Sequence, residues 1–497
     1  MPSPKAIIIG SGVAGMATAI RLAVQGFEVH VYEKNSYPGG KLSSITVGGY
    51  HFDAGPSLFT QPQNIAELFA LAGENMQEYL PYETLPIACR YFYEDGKVLN
   101  GYTDAEKFAN EVHNVTGEDP EAVLNYLRQS QRLYNNIGGI FLNNSLHKAK
   151  TWLKPSIAKA LATVKPEYLF KTLHNVNARR FKQPHTVQLF NRFATYNGSN
   201  PYEAPGMLSL IPHLEHNEGA FYPKGGMISI TNALYKLAEK KGVHFYFDEA
   251  VQRIIENEGH AIGVVANGVN IYGDVIVSNM DVLFTYRNLL QDDKAAAKLA
   301  EQPRSSSAMV FYWGIKKEFA GLYLHNIFFS NDYKTEFDYI FNRGGLYHDP
   351  TVYINITSKM EPGLHAPQGT ENWFVLVNVP AFKGQNMDAM VKQCRKNVIA
   401  KLNRMLQTNI EEYIEAEDML TPLQIESRTA SYAGALYGTS SNTKMAAFMR
   451  HPNFSRKIGR LYFAGGSAHP GGGIPLCLKS AKITAGLIGK DKMKWGN

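Results

Sequence analysis

KAIIIGSGVAGMATAIRLAVQGFEVHVYEK, residues 5–34, decides the fold. Residues 6–9 are a short, β-branched apolar run, the pattern of a buried parallel strand. They lead into Gly10-Ser11-Gly12-Val13-Ala14-Gly15, and residues 16–25 then read as a helix. Gly10 permits a tight turn, Gly12 leaves room for a pyrophosphate at the backbone, and Gly15 lets the helix lie close to the sheet. The start of that helix offers unpaired N–H groups and the positive end of a dipole to phosphate. A second strand over residues 28–32 ends at Glu33, whose carboxylate can accept hydrogen bonds from both ribose hydroxyls. Strand, glycines, helix, strand and acid form one dinucleotide-binding βαβ unit. Glu33 disfavours a 2′-phosphate and so argues against NADP.

Working outward, the next residues do not run straight into another βα unit. YPGGKL (37–42) and FDAGPSLF (52–59) form glycine-broken loops. The first could lay Gly40 and Lys41 beside a cofactor. The second carries Ser57 and Leu58 after a Gly-Pro turn, within reach of its ring end. This layout resembles flavoproteins with two dinucleotide-binding domains, which implies FAD. Farther on, FYPKGGM (221–227) precedes a helix over 230–241. Strands follow over 243–247, 250–256, 261–266 and 275–279, and are expected to rejoin the nucleotide domain's sheet. Val251 falls where a backbone N–H and C=O could read an adenine, and Asn279 where it could cap a loop at the same end. Near the far end, LYFAGGSAHPGGGIP (461–475) packs five glycines into nine residues between a strand and an apolar helix. So many glycines are costly unless something approaches closely. FAD is long enough to need this second turn, through Gly466, Gly473 and Ile474, for its ribityl–ring half.

These pieces, with VIVSNMD (275–281) and SAKITAGLI (480–488), resemble the carotenoid (phytoene-type) desaturase family of FAD enzymes in family order across nearly the whole chain. GGSAHPG and RTASYAGALYG (428–438) look most like hydroxycarotenoid 3,4-desaturases. The resemblance implies FAD contacts at Glu33, Lys41, Ser57, Leu58, Val251, Asn279, Leu436, Gly466, Gly473 and Ile474; Leu436 rests on the local match alone. It implies desaturation by hydride transfer to flavin, with C3–C4 of a 1-hydroxycarotenoid as the expected bond. The alternatives are phytoene or ζ-carotene desaturation, a flavin amine oxidase, and a non-catalytic prenyl-lipid carrier of the GDI type. No second pyridine-nucleotide motif occurs, so electrons are expected to leave to oxygen or a quinone. No catalytic base stands out. His469 in the glycine turn is a candidate, with Glu203 and Glu215 weaker ones.

The expected architecture is α/β. A discontinuous Rossmann-like FAD domain comprises residues 1–84, 221–283 and 421–497, with a helical insertion over 85–220 and a mixed α+β substrate domain over 284–420. A chain of 497 residues has ample length for several cores. Its three cysteines are far apart and form no CxxC pair, which argues against a disulfide framework or metal site and for a reducing compartment. No signal-peptide layout or membrane-spanning run is present. Net charge is +6, but residues 147–182 hold nine Lys/Arg against one acid, leaving −2 for the remainder. That stretch reads as two amphipathic helices split near Pro166. One apolar face has Ile157, Leu161, Val164 and Tyr168, and the other Leu169, Leu173 and Val176. It could rest on anionic lipid or pack on the protein's own core. No recognition motif or interleaved aromatic surface speaks for nucleic acid. A cytoplasmic protein held peripherally at a membrane is the expectation.

Overall fold

The computed structural model describes residues 3–152, 155, 157, 164–442 and 450–493. Its foundation is a five-stranded parallel sheet with Lys5–Ile9 at the centre. Val275–Ser278 and then Leu461–Phe463 lie on one side of that strand, Glu28–Tyr32 and His244–Tyr246 on the other. Both faces are covered, which is why the strands read as unbroken apolar runs. The helix Val13–Val24 packs on one face against Ile228–Lys240 and the last helix, Ile474–Lys492. Strands from the two extremities of the chain are thus separated by a single intervening strand.

Two expectations about the sheets are corrected. Residues 250–266 do not rejoin the nucleotide sheet. Val251–Asn257, His260–Ala266 and Val269–Tyr272 form their own antiparallel three-stranded sheet. The connections decide this: Glu258-Gly259 and Asn267-Gly268 both have positive φ at each residue. Such two-residue turns match strand twist and make hairpins, whereas a parallel neighbour needs a long crossover.

The second correction concerns the start of the insertion. Ile87–Phe92 and Val98–Tyr102 are strands, not helices. They complete a seven-stranded sheet with Ile414–Leu420, Ser307–Ile315, Glu371–Val379, Val352–Asn355 and His325–Phe328. The junction is a parallel pairing of Asn326–Phe328 with Arg90–Phe92. Residues 87–92, Ile-Ala-Cys-Arg-Tyr-Phe, carry no alternation to mark a strand, and the partner lies more than 200 residues later. The helical part begins at Ala105–Thr116, where Asp104 caps the Lys107 N–H, and continues through Pro120–Leu133, capped by Asp119.

In the basic stretch, most of the first expected helix, including Leu161, lies outside the described residues. The second is two short helices, Pro166–Phe170 and Leu173–Arg180, with Thr172 accepting from the Asn175 N–H at the restart. Ile157, Val164, Tyr168, Leu173 and Val176 are buried. That apolar face packs on the protein's own core, with Phe141, Leu146 and Met207 among its neighbours. Among the described residues no helix is long and apolar enough to cross a membrane.

Candidate active site

A single cavity of about 650 Å3 is walled by residues of the parallel sheet's loops and of the seven-stranded sheet. Gly10, Gly12, Glu33, Gly40, Lys41, Ser57, Leu58, Val251, Asn279, Leu436, Gly466, Gly473 and Ile474 all line it. The structure therefore brings to one place segments that are more than 450 residues apart in sequence. Gly15 does not line the cavity. A Cβ there would meet the Gly10 carbonyl oxygen at 2.1 Å, so this glycine serves helix–strand contact, as its position in the motif implies.

Asn279 holds the two glycine turns together. Its Nδ2 donates to the Ala464 carbonyl at 2.7 Å. Its Oδ1 stands 2.7 Å from where a Cβ on Gly12 would be, and its Nδ2 stands 2.7 Å from the corresponding point on Gly465, which has φ +130°. Gly12 thus lacks a side chain for a reason the motif did not reveal: the amide of Asn279 occupies that space. Gly39 joins the same knot, its N–H donating to the Ser11 carbonyl.

Two helix N-termini open on this lobe. Gly12, before Val13–Val24, and Gly473, before Ile474–Lys492, have no capping side chain. A Cβ on Gly473 would meet nothing within 4 Å. Uncapped N–H groups with a positive dipole end suit a diphosphate at one point and an electron-rich ring edge at another. Glu33 is buried, with one oxygen accepting from Ser11 N–H and Oγ and the other from Asn35 N–H and Nδ2. Ribose hydroxyls would replace the rotatable Ser11 hydroxyl or the Asn35 amide, not fill an idle carboxylate. Lys41 Nζ donates to the Leu436 carbonyl at 2.9 Å, and burial lowers its pKa. This gives Leu436 a physical place in the site through its backbone.

The opposite lobe is walled by apolar side chains, including Ile327, Phe337, Ile340, Phe374 and Leu376, around a few buried polar groups. Arg192 Nη2 donates to both oxygens of Glu215, at 2.9 and 2.7 Å, and Tyr196 Oη donates to Oε1. Burial alone would raise the Glu215 carboxyl, but the Arg192 guanidinium holds it below its ordinary value. Glu215 is thus a stable ion-pair member, not a free base. Glu336, which accepts from Thr351 N–H and Oγ, is pushed up to about 7 by burial. Ser57 Oγ lies 2.7 Å from Tyr353 Oη, which lies 2.8 Å from His325 Nδ1.

His469 and Glu203 do not line this cavity. His469 is buried with Nε2 on the Asn144 carbonyl at 3.0 Å, and burial pulls its pKa down to about 4. It is a neutral ring fixing its own turn to the helical insertion. Arg192, Tyr196, His325 and Tyr353 were not legible in the sequence. They come from separate elements, without a spacing that marks them.

A family model described as flavin containing amine oxidoreductase matches residues 13–489. The chain belongs to that family and is an FAD-dependent oxidoreductase. Within it, the chain is 50% identical over 484 residues to a 1-hydroxycarotenoid 3,4-desaturase of Flavobacterium sp. (strain P99-3), covering 97% of this chain and 99% of that protein. It is 33% identical to a 4,4'-diaponeurosporene oxygenase of Staphylococcus haemolyticus (strain JCSC1435), covering 98% and 97%. Among solved structures, putrescine oxidase bound to putrescine aligns with a TM-score of 0.62 at 14% identity, covering 99% of both chains. Cyclohexylamine oxidase from Brevibacterium oxydans IH-35A aligns at 0.59 and 15%, covering 99% and 100%. At such identities these two bear on the fold alone.

Proposed function

We propose that the chain is a carotenoid desaturase that introduces a C3–C4 double bond into a 1-hydroxycarotenoid. The observation that carries this reading is one cavity in which two uncapped helix N-termini face an apolar lobe with few polar groups. The 50% identity to a 1-hydroxycarotenoid 3,4-desaturase supports the substrate and the bond. On this reading Gly12, Val13 and Ala14 receive the FAD diphosphate, and Glu33 the ribose. The backbone of Val251 faces the adenine. Lys41, Ser57, Leu58, Asn279, Leu436, Gly466, Gly473 and Ile474 flank the ribityl chain and ring.

When bound, FAD supplies a two-electron acceptor for hydride. The substrate loses that hydride and a proton from adjacent carbons, and the new double bond extends the polyene. Ile327, Phe337, Phe374 and Leu376 hold the hydrocarbon and exclude water, so positive charge developing on the substrate is quenched by conjugation and not by solvent. A delocalised cation loses its proton readily, so a weak acceptor such as water at the polar end of the cavity takes the proton and no strong base on the protein is needed. Electrons leave the flavin to oxygen or a quinone.

The test is direct. The purified protein is expected to show an oxidised-flavin spectrum and, in liposomes, to convert a 1-hydroxy-γ-carotene-type substrate to a red-shifted product. A protein that is colourless and cannot be reconstituted with FAD refutes the reading. Conversion of phytoene alone overturns the substrate and leaves the enzyme class.

A substrate of this kind dissolves in lipid, and a docking surface completes the reading. Phe170 is 67% and Trp152 45% exposed, and the exposed Lys165 precedes the Pro166–Phe170 helix. Apolar rings flanked by lysine suit an anionic interface. Lys→Glu changes at Lys165, and at Lys154 and Lys159 outside the described residues, are expected to reduce co-sedimentation with anionic vesicles. Unchanged sedimentation removes the membrane contact.

A further inference from the structure

His325 stands at the start of the fully buried strand His325–Phe328 and walls the apolar lobe. Its Nδ1 lies 2.8 Å from Tyr353 Oη and 3.1 Å from Asn355 Nδ2. The amide of Asn355 is oriented, because the same Nδ2 also donates to the Leu324 carbonyl at 3.2 Å. It therefore presents a hydrogen to Nδ1, and Nδ1 must be the unprotonated nitrogen. Burial pulls the ring's pKa down to about 4, so it is neutral and carries one proton. That proton is on Nε2. Yet Nε2 is buried and has no hydrogen-bond partner among the described residues. A buried donor left unpaired is costly and uncommon, and Tyr353 and Asn355 act together to maintain it in that state.

The position of this donor is informative. His325 is joined through Tyr353 Oη to Ser57 Oγ, and Ser57 follows the Gly55-Pro56 turn assigned above to the ring end of the flavin. In a 1-hydroxycarotenoid whose C3–C4 bond is oxidised, only C2 separates the hydroxyl-bearing carbon from the reacting one. A group that reads the hydroxyl must then stand beside the reacting bond, in a lobe where the buried side chains of Arg192, Glu215 and Glu336 are paired with protein groups.

We infer that His325 is the specificity-determining residue for the oxygen function of the substrate, its Nε2–H donating to the hydroxyl oxygen at C1. This rests on the desaturase reading above. The hydroxyl anchors the chain end, and with it the register of the polyene along the cavity. A carotenoid lacking that oxygen leaves the imidazole donor unpaired and slides freely. Polar groups built to pair with a substrate hydroxyl reject the analogue without it much more strongly than an apolar pocket rejects a change of size.

The experiment compares His325→Gln with His325→Met, side chains of similar length of which only the first donates a hydrogen bond. Each variant is assayed per mole of bound flavin on the 1-hydroxy substrate and on the same carotenoid without the hydroxyl. H325M is expected to lose roughly 10- to 100-fold in kcat/KM on the hydroxylated substrate while its rate on the deoxy compound holds. H325Q is expected to stay within a few-fold of the parent on both. Equal losses in both variants on both substrates make His325 a packing residue and overturn the assignment. The unaltered enzyme supplies a measurement that no folding defect can spoil. A 1-methoxy analogue, whose oxygen accepts but cannot donate, should remain a better substrate than the deoxy compound; equal rejection of the two overturns the inference. An unaltered enzyme inactive on any carotenoid refutes the desaturase reading itself, which is a separate result.

Discussion

Arg192→Leu is expected to destabilise the protein by about 3–5 kcal/mol, the range for stripping one partner from a buried ion pair. Arg192 and Glu215 are 6% and 1% exposed, and the guanidinium binds both carboxylate oxygens. Without it, Glu215 keeps the Tyr196 hydroxyl and, in place of the guanidinium, has only the His216 ring, whose Nε2 is 3.8 Å from Oε2 and whose pKa burial lowers. The pH dependence gives the sign. In the parent, the folded-state pKa of Glu215 lies below its ordinary value. The pair's contribution is therefore complete above the usual glutamate range and is lost as pH falls through the folded value. In the variant, burial is no longer offset by the guanidinium and is opposed only by the Tyr196 hydroxyl and His216, so that pKa rises and the variant is penalised more as pH rises. Denaturation midpoints of the two proteins should converge between pH 8 and pH 5, and a gap that widens toward acid contradicts this account. Replacing both residues with methionine is expected to return most of the loss, because well-packed apolar substitutes for a buried pair are often neutral.

Gly15→Ala should have the second large effect. The added methyl would lie 2.1 Å from the Gly10 carbonyl oxygen and 3.0 Å from Asn279 Oδ1. The nearer atom is main chain and cannot rotate aside. The helix must back away from the first strand, at a cost of about 1–3 kcal/mol. The turn it opens is the one assigned to the diphosphate, so at least a tenfold weakening of FAD binding is expected from a displacement worth about 1.4 kcal/mol or more. Gly26→Ala provides the contrast. Gly26, unlike Gly15, has positive φ, +80°, but nothing lies within 4 Å of its missing Cβ. It should cost only about 1 kcal/mol of backbone strain and leave flavin content intact. If G15A retains flavin as well as G26A does, the close approach of helix to strand is not what forms the turn.

The parts of this protein that could be read from its residues are those in which neighbours in sequence are neighbours in space. Lys5–Ile9, the glycine turn, Val13–Val24 and Glu28–Tyr32 form one local unit, in which Gly10 and Gly15 answer to backbone requirements while Gly12 answers to the distant Asn279 amide. The tail, Leu461–Phe463 into Ile474–Lys492, was legible for the same reason. Asn267-Gly268 carries hairpin chemistry in its sequence, and that turn sets Val251–Tyr272 apart from the parallel sheet. The pairing of Ile87–Phe92 with His325–Phe328 was different in kind, since nothing in either strand names its partner. The polar groups of the apolar lobe were hidden for that reason too. Arg192 follows one helix and Glu215 lies on another, while His325, Tyr353 and Asn355 sit on two adjacent strands of the larger sheet. His469 misled because its setting in a glycine turn looked functional, whereas its ring faces the Asn144 carbonyl, outside the cavity.

The amide of Asn279, touching Gly12 on one side and the Ala464–Gly465 step on the other, has a consequence for biosynthesis. The ribosome completes the first glycine turn early, yet its counterpart emerges only after some 450 further residues. Throughout translation the nascent polypeptide can display half a binding surface and no more. If both turns hold the coenzyme as proposed, its acquisition must wait until the helix after Gly473 has docked, and a chain terminated upstream of Gly473 is expected not to retain FAD on reconstitution.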